Sequence, residues 1–151
     1  MSRIVAACAV IVVLAGFVSA QAPAPEQKER VDGIGGFFFR STSPKPLAQW
    51  YSDHLGVTLT PADYKSESWQ QLAGPTVFQP FPANTTYFGS ADHSFMLNFR
   101  VKNLDAMVAQ LRRAGITVDV DPKTYPNGRF ARLSDPEGNP IQLWQPQRNA
   151  S

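Results

Sequence analysis

The chain has 151 residues, enough for one domain with a sizeable core, and its 14 Lys and Arg against 12 Asp and Glu give a formal charge of +2. So even a balance offers no basic field for nucleic acid or an anionic membrane. One cysteine, Cys8, rules out an internal disulfide framework.

Residues 1–20 read as a cleaved signal peptide. Met1-Ser2-Arg3 is a short basic start, Ile4 to Phe17 is apolar, and Val18-Ser19-Ala20 offers small residues to a signal peptidase. The apolar run is short for a membrane span of about 20 residues. Cleavage after Ala20 removes Arg3 and Cys8 and leaves a formal charge of +1. The mature protein is then expected in the periplasm or outside the cell, away from the membrane and without cysteine chemistry. Residues 21–32 are Pro/Ala-rich and then charged, a flexible linker. The domain is expected over residues 33–147, with 148–151 as a tail.

A strand is expected over Ile34 to Arg40. Leu47, Trp50, Tyr51 and Leu55 recur at helical spacing behind Ser43-Pro44, and Gly56 is a natural stop. His54 falls in the last turn, where a cation suits the helix dipole. Strand signals follow at Val57 to Leu59, Ser68 to Leu72 and Thr76 to Phe81, then a polar connector from Pro82 to His93. Phe95 to Val101 reads as a strand. Leu104, Met107, Val108 and Leu111 form a second helical stripe, stopped by Gly115. Ile116 to Val120, Arg129 to Leu133 and Ile141 to Gln145 read as strands, separated by turns at Pro126-Asn127-Gly128 and Asp135 to Pro140.

The chain repeats itself. Phe39-Arg40, a helix and Gly56-Val57 return sixty residues later as Phe99-Arg100, a helix and Gly115-Ile116. The order βαβββ therefore occurs twice, an α+β pattern, and two such units bury their apolar faces best against each other.

The FR-led strand, the WYSDHLGV helix end, the NFRVKNLDAMVAQLRRAGI segment and the RFARLSDPEGNPIQLWQP tail resemble the glyoxalase / bleomycin-resistance / extradiol-dioxygenase superfamily, the vicinal oxygen chelate proteins. The resemblance runs from about Ile34 to Pro146. It implies two pseudo-symmetric βαβββ modules forming a cleft-enclosing half-barrel of mixed β-sheet with flanking helices. It also implies a divalent metal on the cleft floor, acting as a Lewis acid. Carried over one at a time, the usual ligand positions fall on Gly36, Phe78, Met96 and Gln142. Gly36 and Phe78 have no donor, the Met96 thioether suits hard cations poorly, and Gln142 offers a neutral carbonyl. One weak donor out of four makes no metal site, so no metal cofactor is expected. The two histidines, His54 and His93, stand on none of these positions; His93 reads as a solvated connector residue.

Strand alternation then gives the cleft. Phe38 and Arg40 share a face with Gly36; Asn98 and Arg100 share one with Met96; Trp144 shares one with Gln142. Phe78, Tyr125, Phe130 and Arg132 complete the expected ligand-binding set, with Tyr87 and Phe88 as further apolar lining. Arg40 and Arg100 stand at equivalent points of the repeat. They either clamp an anion together or pair with local acids such as Asp53, Asp105 or Glu137. Glu137 itself reads as a solvated turn residue. No catalytic residue can be named.

The expected function is an exported glyoxalase-like protein that binds a small aromatic or anionic molecule in its cleft without the usual metal centre. The bleomycin-resistance branch of the family sequesters ligands without catalysis. The alternative is an enzyme, a lyase, isomerase or dioxygenase with a noncanonical metal set such as Gln142 with Glu137 or His93. A third is a scaffold whose cleft is filled by its own side chains. The expected partners are a small-molecule ligand and a second copy of the chain.

Overall fold

The computed structural model describes residues 29–147. The expected signal peptide, most of the linker and the tail lie outside the described residues. The chain divides after Phe37 into two compact units. In the first, the described residues 29–37 form neither helix nor strand.

The second unit carries two helices, α1 (Pro44–Leu55) and α2 (Leu104–Arg113), and four strands, β1 (Leu97–Arg100), β2 (Asp119–Val120), β3 (Gly128–Ser134) and β4 (Pro140–Pro146). The sheet order is β1-β4-β3-β2. β1 runs parallel to β4, and the other pairs are antiparallel. The architecture is α+β with an open mixed sheet.

Leu47 and Tyr51 of α1 join Leu104, Val108 and Leu111 of α2 in one core with Ala131, Leu133, Ile141 and Leu143 of the sheet. The helical stripes read from the sequence are the faces that bury. Leu104, Leu111, Ile141 and Leu143 are fully enclosed, each worth roughly 1.5–3 kcal/mol of apolar burial.

Both helix starts are held from the β3–β4 end of the chain. Ser43 makes no side-chain cap for α1. The Glu137 carboxylate does so from the turn, accepting from the Ser43 amide at 2.7 Å, the Thr42 amide at 3.2 Å and the Ser41 and Thr42 hydroxyls. At α2, Asn103 accepts from the Ala106 amide at 3.0 Å, and the Gln145 side chain accepts from the Leu104 amide at 2.7 Å. Gly56 closes α1 in the left-handed conformation at φ 69°.

The second half of the chain follows the expectation closely, with Ile116 to Val120 reduced to the short β2. The first half differs. Its helix forms, but no ladder forms over residues 34–40, 57–59, 68–72 or 76–81. Ladder pairing needs a partner and a row of amide donors. Pro80 removes a donor from the last of these stretches, which Pro75 and Pro82 flank, and residues 62–81 are exposed throughout with no strand paired alongside them.

Candidate functional site

The sheet register separates two faces. Leu97, Phe99, Ala131, Leu133, Ile141 and Leu143 align on the core side. Asn98 and Arg132 stand beside Gln142 on the other, and Arg100 and Phe130 stand beside Trp144. A slip of one residue would exchange the two sets, so the burial of Ile141 and Leu143 fixes which groups the second face presents.

Gln142 is only 5% exposed and is satisfied at both ends. Its Oε1 accepts from Asn98 Nδ2 at 2.7 Å, and its Nε2 donates to the Tyr87 hydroxyl at 2.9 Å. Arg132 Nη1 donates to the Tyr87 carbonyl at 2.9 Å. Its guanidinium carbon stands 4.4 Å from the Tyr87 ring centroid, a cation–π contact. Phe81 stacks on the same tyrosine, with centroids 5.1 Å apart and planes 13° from parallel. The connector after Phe81 thus lies against the polar half of this face.

The other half is aromatic. Phe130 and Trp144 lie 7° from parallel with centroids 6.3 Å apart, and Tyr125 meets Phe130 edge-on at 5.8 Å. The Trp144 indole donates to the Asn127 carbonyl at 2.8 Å, which ties it to the Pro126-Asn127-Gly128 turn. The Tyr125 hydroxyl donates to Asp121 at 2.9 Å. That hydrogen bond raises the pKa of Tyr125, while the Lys123 amide and then Tyr125 lower that of Asp121.

An open cavity of about 560 Å³ lies at the β3–β4 turn end of the sheet, lined by Trp50, Phe88, Met96, Asp119, Arg132 and Asp135 among others. At the β1 edge, Arg100 Nη2 donates to the Leu72 carbonyl at 2.7 Å. A Cβ on Gly74 would run into the same guanidinium, so glycine there lets the chain pass the arginine.

Most of the expected ligand-binding set is thereby brought together: Asn98, Arg100, Phe130, Arg132, Gln142 and Trp144 on the face, Met96 at its cavity end and Tyr125 against Phe130. Phe38, Arg40 and Phe78 are not on it. Phe38 and Phe78 are 94% and 84% exposed, and Arg40 is exposed ahead of α1. Neither Arg40 nor Arg100 forms an ion pair with the expected acids. Among the described residues the ion pair is Arg129 with Asp105 at 2.8 Å. The Arg129 hydrogen bonds lower the Asp105 pKa, and Asp105 raises that of Arg129. Glu137 is no free turn residue. Burial acts to raise its pKa, but the hydrogen bonds from Ser41, Ser43 and Thr42 outweigh that and hold it low. His93 is half-buried, with Nδ1 2.9 Å from the Phe88 carbonyl. The His54 ring packs on Trp50 at 5.4 Å.

The residues at the family's ligand positions do not fit a hard divalent cation. Phe78 brings no donor, Met96 brings a thioether, and the carbonyl oxygen of Gln142 is already taken by Asn98. Gly36 has no side-chain donor. Among the described residues no cluster of three His, Cys, Asp or Glu is placed to hold a metal ion.

Phe81 and Asp119 escaped the sequence reading. Aromatic residues at 81, 87 and 88 amid a Pro, Asn, Thr and Gly connector were the available signal for Phe81, because a solvated loop has no need of such rings. Asp119 gave no signal, since its cavity position depends on where the short β2 pairs.

A family model described as a glyoxalase-like domain matches residues 36–144. No curated protein matches the chain. Among solved structures the chain is similar to TnmS3, an antibiotic binding protein from Streptomyces sp. CB03234, with 26% identity and a TM-score of 0.54 over 80% of this chain and 100% of that one. It is also similar to a glyoxalase/bleomycin resistance protein from Streptomyces sp. CB03234, 45% identical over 34% of this chain and 46% of that one at a TM-score of 0.31. A glyoxalase family protein from Enterococcus faecalis is 26% identical over 43% of this chain and 52% of its own, at a TM-score of 0.33.

Proposed function

The chain belongs to the glyoxalase-like domain family, and from that premise we propose that it binds a small aromatic or anionic molecule on the second face of its sheet, without a metal centre. The observation that carries this reading is the juxtaposition on one face of an aromatic floor, Phe130 and Trp144, with the Arg132 guanidinium and the Asn98–Gln142 amide pair. Ligand sites are mostly apolar with a few convergent polar groups of this kind. The likeness to an antibiotic binding protein at 26% identity supports sequestration of a ligand over its conversion. No step of chemistry is assigned to any residue.

Two further parts belong to the proposal. The protein is exported, its first twenty residues acting as a cleaved signal, so that the mature chain begins at Gln21; N-terminal sequencing of the protein recovered from outside the cytoplasm checks this. It works as a homodimer, because the first half presents Leu72, Val77 and Phe78 to solvent where a second copy would cover them.

The binding claim is tested by titrating the full chain with 1-naphthoate and following tryptophan fluorescence. One saturable site is expected, weakened about tenfold by Arg132→Gln through loss of a charge-assisted contact. Failure to saturate, or equal binding by the variant, would contradict it.

A further inference from the structure

Tyr87 sits at the polar centre of this face in the manner of a bound molecule. It reaches the sheet from the connector, and the residue remains 38% exposed while Gln142 beneath it is 5% exposed. Its hydroxyl oxygen accepts from Gln142 Nε2 at 2.9 Å. Asn98 holds that amide in place by donating to its oxygen, so Gln142 offers N–H to whatever lies above it. Arg132 stands over the ring at 4.4 Å, and Phe81 lies nearly parallel to it at 5.1 Å. The three groups form one recognition set: a donor for an oxygen on a ring, a cation for an electron-rich π face, and a flat apolar wall.

We infer that the ligand of this face is a hydroxylated aromatic ring, which enters by displacing Tyr87 and takes over its contacts. The inference rests on the reading that the face binds a small molecule, and it narrows the class. A simple carboxylate would take up Arg132 and the Gln142 N–H but leave the Phe81 wall without a counterpart. An unsubstituted arene would fill the wall and bury the Gln142 N–H without an acceptor, which is unfavourable. A ring bearing a hydroxyl satisfies all three, as the protein's own phenol does.

The test compares 2-naphthol with naphthalene on the full chain, on Tyr87→Ala and on Gln142→Met, by ligand-observed NMR titration. In Tyr87→Ala the internal competitor is gone, so 2-naphthol is expected to bind about tenfold more tightly than to the parent chain. In both of these proteins 2-naphthol is expected to outbind naphthalene by about tenfold, and Gln142→Met is expected to abolish that preference. Equal or weaker binding of 2-naphthol to Tyr87→Ala would overturn the displacement. A preference that survives Gln142→Met would overturn the assigned contact. If naphthalene and 2-naphthol both saturate with equal affinity, the small-molecule reading stands and this inference fails. No saturable binding to any of the folded proteins would remove both. Near-ultraviolet circular dichroism checks each fold. Tyr87→Leu, which keeps an apolar side chain against Phe81, gives the same comparison should Tyr87→Ala not fold.

Discussion

The buried Asp135 carboxylate accepts from the Tyr51 hydroxyl, from the Glu137 and Asn139 amides at 2.9 Å each, and from the Asn139 side chain at 2.8 Å. It closes its own turn and fastens α1 to it. Burial first and the Asp135 hydrogen bond second push the Tyr51 pKa far up, so this phenol stays a donor throughout the ordinary pH range. Asp135→Ala would leave the buried Tyr51 hydroxyl and three part-buried donors without this acceptor and is expected to cost roughly 2–4 kcal/mol in urea unfolding; an unchanged midpoint would contradict this. Glu137, two residues on, predicts a pH effect. Its folded pKa lies below the unfolded value of about 4.3. Its contribution to stability is therefore complete above that value and is lost as pH falls through the folded pKa. Stability of the parent chain is expected to fall more steeply with acidification below about pH 4.3 than that of Glu137→Gln, read from thermal unfolding at a series of pH values. The sequence showed these residues as a turn and no more. Their real partners lie more than eighty residues away, and turn composition carries no information about such contacts.

A helix end and a strand start separate what glycine does by conformation from what it does by absence of bulk. Gly56 has φ 69°, and a Cβ there would meet nothing within 4 Å. Gly56→Ala is expected to cost only the left-handed strain, about 1 kcal/mol. Gly128 has φ 132°, and a Cβ would collide with the Gln145 carbonyl oxygen and press on the Trp144 indole nitrogen. Gly128→Ala is expected to cost about 2–4 kcal/mol, as strain and overpacking add. Equal losses for the two variants in denaturant titrations would contradict this account. Both glycines stood out in the sequence because stops and turns are local signals. So did α1, α2 and β3, whose periodicity matches the faces they bury, and β4, an apolar-rich run between turn residues that buries both faces from Ile141 to Trp144. The strands expected in the first half did not form because a strand is a relation between segments. Residues such as Val77 and Phe78 have strand-like side chains, but nothing in the described residues pairs with them.

The repeat remains visible in the whole molecule as two helices, each capped from the last third of the chain, α1 by Glu137 and α2 by Gln145. Of the cleft, the half built on β1, β3 and β4 was legible, since alternation alone puts Asn98, Arg100, Phe130, Arg132, Gln142 and Trp144 together once one strand is anchored. The half expected from Phe38, Arg40 and Phe78 was not, because it depended on a ladder in the first module. The exposed apolar residues of that half give a whole-molecule expectation: sedimentation equilibrium of the full chain at micromolar concentration should show a dimer, and a strict monomer would contradict the proposed pairing. The central claim is ligand binding without a metal centre. Native mass spectrometry of the full chain, dialysed against a chelator and mixed with 2-naphthol, tests it most directly. The account expects one naphthol adduct per chain with no metal adduct. A stoichiometric divalent metal that survives dialysis, or the absence of any naphthol adduct, would contradict it.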